Sequence, residues 1–128
     1  MASRYFLDAN ILLEILYDRP MLPAVKKLLI KHQGAVYISP LTVHLVFHFG
    51  LKMTNFKNIQ TLLSDYQILP LDAHDVNWAM VNIRDNDFED ALQLAVAIRN
   101  GCDEFITLDK KLVDTYKGLP VIDVKLLA

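Results

Sequence analysis

The stretch Arg4-Tyr5-Phe6-Leu7-Asp8-Ala9-Asn10-Ile11-Leu12-Leu13 changes from one kind of local order to another within a few residues. Arg4 to Leu7 reads as a strand, and Asp8 stops it. Asn10 has the short polar side chain of a helix N-cap, and the helix it opens is expected to run through Leu16 or Tyr17. Arg19-Pro20 closes that helix, because the residue before a proline resists helical angles. A strand that ends at a carboxylate and passes directly into a helix is the repeating unit of alternating α/β folds.

The same alternation continues outward from this stretch. A second helix is expected from about Leu22 to His32. Leu22, Val25, Leu28 and Leu29 recur on one side of it, Lys26, Lys27 and Lys31 look outward, and Gly34 ends it. Ala35 to Ile38 reads as the second strand. Ser39-Pro40 then sets a capping hydroxyl before a proline at the first helical position, for a helix reaching about Lys52. Asn55 to Ser64 suggests another short helix, and Tyr66 to Leu69 a third strand ended by Pro70. Asp72 caps a helix over Val76 to Ile83, and Asp87 caps another over Ala91 to Arg99, stopped by Gly101. The run from Ala91 to Ile98 is apolar nearly all round, as in a helix buried between other elements. Phe105 to Leu108 and Pro120 to Val124 supply the fourth and fifth strands, with a short helix from Lys110 to Tyr116 between them. Strands joined through helices pair in parallel, since a right-handed crossover needs a helix-sized connection. The expected fold is α/β, a three-layer sandwich around a five-stranded, mainly parallel sheet, with residues 1–128 forming one domain.

Composition sets limits on function. The chain is 53% hydrophobic and 22% charged, the balance of a folded globular protein. Thirteen Lys and Arg stand against fifteen Asp and Glu, for a formal charge of -2, so no global basic field exists to hold nucleic acid. Any RNA binding must be local or assisted by metal. The single Cys102 rules out an internal disulfide framework and suits a reducing compartment. The N-terminal residues lack the pattern of a secretory signal, which makes a cytoplasmic address the default. Gly34 to Leu51 carries no charge, but Ser39, Pro40, Thr42, His44 and His48 interrupt it, so a strand, a turn and a buried helix are expected there, with no membrane span.

In a parallel sheet the site is sought at the carboxyl ends of the strands. Asp8 follows the first strand, Asp109 follows Phe105-Ile106-Thr107-Leu108, and Asp90 lies in the first turn of the apolar helix before that strand. Three carboxylates brought to one rim would repel each other and raise each other's pKa unless a cation offsets them. Mg²⁺ suits such a site, since it takes one or two carboxylates and keeps waters or substrate phosphate oxygens. Water oriented and acidified there can attack a phosphodiester. The alternative reading is structural: aspartates at strand and helix boundaries commonly form turns or caps, and Asp85, Asp87 and Glu89 are read first in that way.

Three segments together resemble the PIN-domain family, and especially the VapC-like toxin ribonucleases. Phe6-Leu7-Asp8-Ala9-Asn10-Ile11-Leu12-Leu13 resembles the family's strand followed by Asp-x-Asn. Asp87-Phe88-Glu89-Asp90-Ala91-Leu92-Gln93-Leu94-Ala95-Val96-Ala97 is similar to its Asp-x-x-Asp-Ala helix start, and Phe105-Ile106-Thr107-Leu108-Asp109-Lys110 to its strand ending in Thr-x-Asp. The resemblance implies a metal-dependent endoribonuclease in which Asp8, Asp90 and Asp109 are catalytic and hold Mg²⁺ or Mn²⁺. Asn10 and Thr107 would support them by orienting carboxylates or water. It also implies an RNA substrate, a homodimer and a small antitoxin partner.

The sequence departs from the family at one place. A Glu is usual early in the helix after the second strand, and Ser39-Pro40-Leu41-Thr42-Val43-His44-Leu45-Val46 offers none; by register Leu45 or His44 occupies its position. Losing one of four acids lowers the charge of the pocket and weakens its hold on metal. Further candidates are His44, which shares a helix face with His48, Glu14, one turn after Asn10, and Asp87. Lys110 and Lys111 follow Asp109 and can reach a phosphate backbone. The bland readings are solvated helix residues for Glu14, the histidines and the lysines, and core for the stripe Val43, Val46, Phe47 and Phe49. Two other functions compete: a degenerate PIN module that binds RNA or protein without cutting, and phosphoryl transfer through an aspartyl phosphate on Asp8, which Asn10 disfavours by standing where a second Asp is expected.

Overall fold

The structure, a computed structural model, describes residues 3–127. The elements run β1 (Tyr5–Leu7), α1 (Ala9–Leu16), α2 (Leu22–Lys31), β2 (Val36–Ile38), α3 (Pro40–Gly50), α4 (Phe56–Leu63), β3 (Gln67–Ile68), α5 (Ala73–Asn82), α6 (Phe88–Arg99), β4 (Glu104–Thr107), α7 (Lys110–Thr115) and β5 (Asp123–Leu126). All pairings in the five-stranded sheet are parallel, in the order β3-β2-β1-β4-β5. Chain order therefore reverses between β1 and β4, and the two strands diverge into helices on opposite sides of the sheet. A crevice opens at such a switch point, at the carboxyl ends of the strands.

Period-two alternation within the buried strands builds the two faces. Phe6 and Phe105 stack with ring centroids 5.3 Å apart on the face covered by Ala79 of α5, Ala91, Leu94 and Ala97 of α6, and Leu112 of α7. Leu7 and Ile106 point the other way, toward Ile11 and Leu12 of α1, Val25 of α2, Val46 of α3 and Ile59 of α4. Gly50 lets α3 approach its neighbours: a Cβ there would lie 2.5 Å from Leu16 Cδ2 and 3.0 Å from Ile59 Cδ1. Among the described residues, no helix is long and apolar enough to cross a membrane.

Three sequence expectations are corrected. Asp8, not Asn10, caps α1: it has extended backbone angles and its carboxylate accepts the Ala9 N–H at 2.7 Å, so the helix begins two residues earlier, at Ala9, and Asn10 lies inside it. The fifth strand is displaced toward the C-terminus and overlaps the expected Pro120 to Val124 only at Asp123 and Val124, because the ladder with β4 starts at Glu104↔Asp123, after a turn at Gly118 with φ of 82°. Phe49 is 38% exposed and is not core; it belongs with Leu51, Met53 and Phe56 to an apolar patch at the α3–α4 junction, while Val46 is buried and Val43 and Phe47 are half-buried.

Candidate active site

The switch point brings Asp8 and Thr107 together. β1 and β4 run in register as Leu7↔Ile106, and the Asp8 N–H extends the ladder to the Ile106 carbonyl at 3.0 Å. Thr107, fully buried, donates its hydroxyl proton to Asp8 Oδ2 at 2.8 Å. Its oxygen accepts the Asn10 side-chain amide at 3.1 Å and the backbone N–H of Asp109 at 3.1 Å. Asn10 is oriented by the Leu108 N–H, which its Oδ1 accepts at 3.2 Å; this leaves its Nδ2 to donate to Thr107 and, at 3.3 Å, to Asp8 Oδ2. One hydroxyl and one amide thus tie together the ends of two strands and the starts of two helices. A buried polar group needs such partners.

Asp109 caps α7, and a single oxygen does so: Oδ1 accepts the N–H groups of Lys111 at 2.9 Å and Leu112 at 3.4 Å. Its other carboxylate oxygen takes no protein donor among the described residues. Asp87 caps α6 through the Asp90 N–H at 3.3 Å, and Asp85 accepts the Asp87 N–H at 3.0 Å. Both caps place negative charge at the positive end of a helix.

The electrostatics follow from this placement. Burial pushes Asp8 up to about 6 against the pull of its hydrogen bonds from Thr107 and Ala9, and the negative charges of Asp109 and Asp87 raise it further. Asp90, half-buried, is pushed up to about 8, first by burial and then by the charges of Asp8, Asp87 and Asp109. The structure therefore brings Asp8, Asp87, Asp90 and Asp109 within electrostatic reach of one another. Among the described residues, no three acidic, His or Cys side chains stand in closed ligand geometry.

The side chains of the remaining candidates take no part in these hydrogen bonds. Glu14 is neither solvated nor free: it is buried, and its Oε2 accepts the Met21 N–H at 2.8 Å, bracing the α1–α2 turn. His44 and His48 share an exposed face of α3, with ring centroids 6.0 Å apart. Leu45 is half-buried, and α3 carries no acid anywhere along its length. Lys110 and Lys111 are exposed at the start of α7, and Lys111 lines a cleft with Asp85, Asn86, Asp87, Phe88 and Glu89.

Sequence reading missed a buried neutral network behind Asp90. Gln93, one turn further along α6, is 1% exposed; it accepts a 2.5 Å hydrogen bond from Ser39 Oγ and donates to Thr42 Oγ1 at 2.8 Å. Ser39 and Thr42 form the capping box of α3, so one amide fastens α6 to the start of α3. The signal was present in the sequence as a lone amide within an apolar run, which must find partners when buried.

A PIN-domain family model matches residues 5–118. Among solved structures, a toxin–antitoxin complex from Klebsiella pneumoniae superposes with a TM-score of 0.76 at 22% identity, covering 94% of this chain and 95% of that one. VapBC2 from Rickettsia felis, bound to a DNA fragment from its promoter, gives 0.72 at 15% identity over 98% and 100% of the two chains. VapC20 from Mycobacterium tuberculosis, a sarcin-ricin loop cleaving toxin, gives 0.73 at 13% identity over 88% and 95%. At these identities the likeness shows the shared fold. Among curated proteins, none matches the sequence.

Proposed function

The chain belongs to the PIN-domain family, and from that premise we propose that it is a metal-dependent endoribonuclease of the VapC-like toxin type, acting as one domain, as a homodimer, and held in check by a small antitoxin. The observation that carries this reading is the acidic group at the switch point: Asp8 and Asp90 have pKa values raised by burial and by the aspartates around them, and among the described residues no Lys, Arg or His forms an ion pair with either. A group of oxygens that repel one another in this way fits a hard divalent cation. The similar structures support the antitoxin and the RNA substrate, being toxins with antitoxins and, in one case, a toxin that cleaves the sarcin-ricin loop.

Asp8, Asp90 and Asp109 would hold Mg²⁺ or Mn²⁺, with Asp87 beside them. When bound, the cation supplies Lewis-acid polarisation of the scissile phosphate and lowers the pKa of water. Thr107 and Asn10 fix Asp8 Oδ2, so this carboxylate needs no reorganisation. Asp109 presents its uncapped oxygen, since Oδ1 is committed to α7. Lys110 and Lys111, beside Asp109, face the backbone of a bound RNA.

A second reading, a PIN module that binds without cutting, draws on the α3 helix without an acid and on the open arrangement of the aspartates. Calorimetry separates the two. The nuclease binds Mn²⁺ with measurable heat that the Asp8→Asn, Asp109→Asn double variant lacks; a wild-type protein that takes up no Mn²⁺ leaves only the non-catalytic module.

A further inference from the structure

The acidic group is carried on the starts of two helices, α6 with Asp87 and Asp90 and α7 capped by Asp109. The geometry between them is not set by the sheet alone, because α7 is a six-residue helix, far below the length that holds itself together in water. Asp109 secures one end. The other end is secured from a different element: Arg84, in the segment between α5 and α6, sends its Nη1 to the carbonyl oxygens of Lys117 at 3.0 Å and Thr115 at 3.4 Å, the latter the last residue of α7 and the former two residues past it, where helix carbonyls lack intrahelical partners. The Arg84 backbone N–H donates to the hydroxyl of Tyr116 at 3.4 Å, and the guanidinium lies 5.9 Å from that ring's centroid. Tyr116 is 1% exposed and packs in the core below α6. Its phenol is raised by burial and, in smaller part, by the charges of Asp85, Asp90 and Asp87.

Only Asp85 and Asn86 separate Arg84 from Asp87. A cation at this position therefore clamps the chain just before α6 to the chain just after α7. We propose that Arg84, with Tyr116 beneath it, is a positioning residue that sets the spacing between Asp87 and Asp90 on one helix and Asp109 on the other, and through that spacing the affinity of the site for a divalent cation. This rests on the reading of the site as a metal centre, and the clamp touches neither metal nor substrate.

The test is Mn²⁺ titration of the full chain by calorimetry at a temperature well below its melting point, so that a modest loss of stability leaves the folded population intact. Arg84→Ala is expected to weaken Mn²⁺ binding about tenfold, in the range seen when groups behind metal ligands are removed. Arg84→Lys restores most of that loss, because one nitrogen reaches both carbonyls and an ammonium can do the same. Tyr116→Phe keeps the buried ring, removes the acceptor of the Arg84 N–H, and weakens binding by a smaller factor, about threefold on the same scale. Arg4→Ala is the control: Arg4 also donates from Nη1 to a helix-end carbonyl, that of Asn100 at 3.1 Å, but at the opposite end of the sheet, so it leaves the affinity unchanged. Equal Mn²⁺ affinity in wild type and Arg84→Ala overturns the positioning role alone. An equal loss in Arg4→Ala reduces the effect to general stability and overturns it too. A wild-type protein that gives no Mn²⁺ heat overturns the metal reading and this inference with it.

Discussion

Replacing Asp8 by Asn in metal-free protein is expected to stabilise it at pH 7.5 and to leave its stability nearly unchanged at pH 4.5. Asp8 is pushed up to about 6 in the fold, from 3.8 in the unfolded chain. A carboxyl whose pKa rises on folding binds its proton more tightly in the native state, so stability is fully present below the unfolded value and is lost as pH rises through the folded one. The window here runs from about pH 4 to about pH 6, and a rise of that size corresponds to about 3 kcal/mol. Asn keeps the cap on Ala9 through its carbonyl oxygen but turns an amide toward Thr107 Oγ1, which must reverse its hydrogen bond in a place already served by Asn10. That mismatch costs about 1 kcal/mol. The net gain at pH 7.5 is about 2 kcal/mol, or roughly 8 °C in Tm for a chain of this length. At pH 4.5 only about 1 kcal/mol of the electrostatic gain is left, which the mismatch offsets, so Tm is nearly unchanged. Thermal melts followed by circular dichroism in EDTA at the two pH values read this directly. A shift of the same sign and size at both would refute the idea that charge at a buried site is what Asp8 contributes. Asp90, pushed up to about 8, extends the wild-type decline in stability toward alkaline pH.

Other outcomes follow from the same geometry. Gln93→Leu strips Ser39 Oγ and Thr42 Oγ1 of a buried partner and is expected to lower stability by about 1 to 3 kcal/mol in urea unfolding; an unchanged midpoint would mean the network is not closed. Gly50→Ala forces Leu16 and Ile59 aside and is expected to destabilise by about 1 to 3 kcal/mol, whereas a neutral result would show that α3 can shift away from α1 without loss. Leu45→Glu returns an acid to the register the family uses, and Mn²⁺ calorimetry is expected to show tighter binding than wild type; equal or weaker binding would place that register away from the acidic group.

Much of the fold is legible because strand, turn and helix signals coincide. The aspartates at the ends of the first and fourth strands mark where strand pattern gives way to helix, and parallel pairing then follows from connection length. The exchange of capping roles between Asp8 and Asn10 has a physical origin. Both residues are good caps two positions apart, and the choice is made by Thr107 and Leu108, ninety-odd residues away, which engage Asn10 and leave Asp8 to serve α1. Glu14 reads as a solvated residue for a similar reason: its partner is a backbone N–H in the next turn, invisible to residue type. The ion pair of buried Asp75 with Arg99, at 2.8 Å, and the Arg84 clamp are not legible at all, since a charged residue carries no mark of which carbonyl or carboxylate it will find. The displacement of the last strand follows from Pro120, which has no N–H to give a ladder, and from register fixed only by β4.

If this acidic switch point cuts RNA, it does so without the glutamate that its family usually supplies. The deciding experiment is incubation of labelled total RNA with purified protein, free of any antitoxin, in Mg²⁺, Mn²⁺ or EDTA, beside the Asp8→Asn, Asp109→Asn double variant. The expected result is cleavage by the wild-type protein in Mg²⁺ or Mn²⁺ that EDTA stops and the double variant lacks. Intact RNA in every lane, or equal cleavage by both proteins, would contradict it.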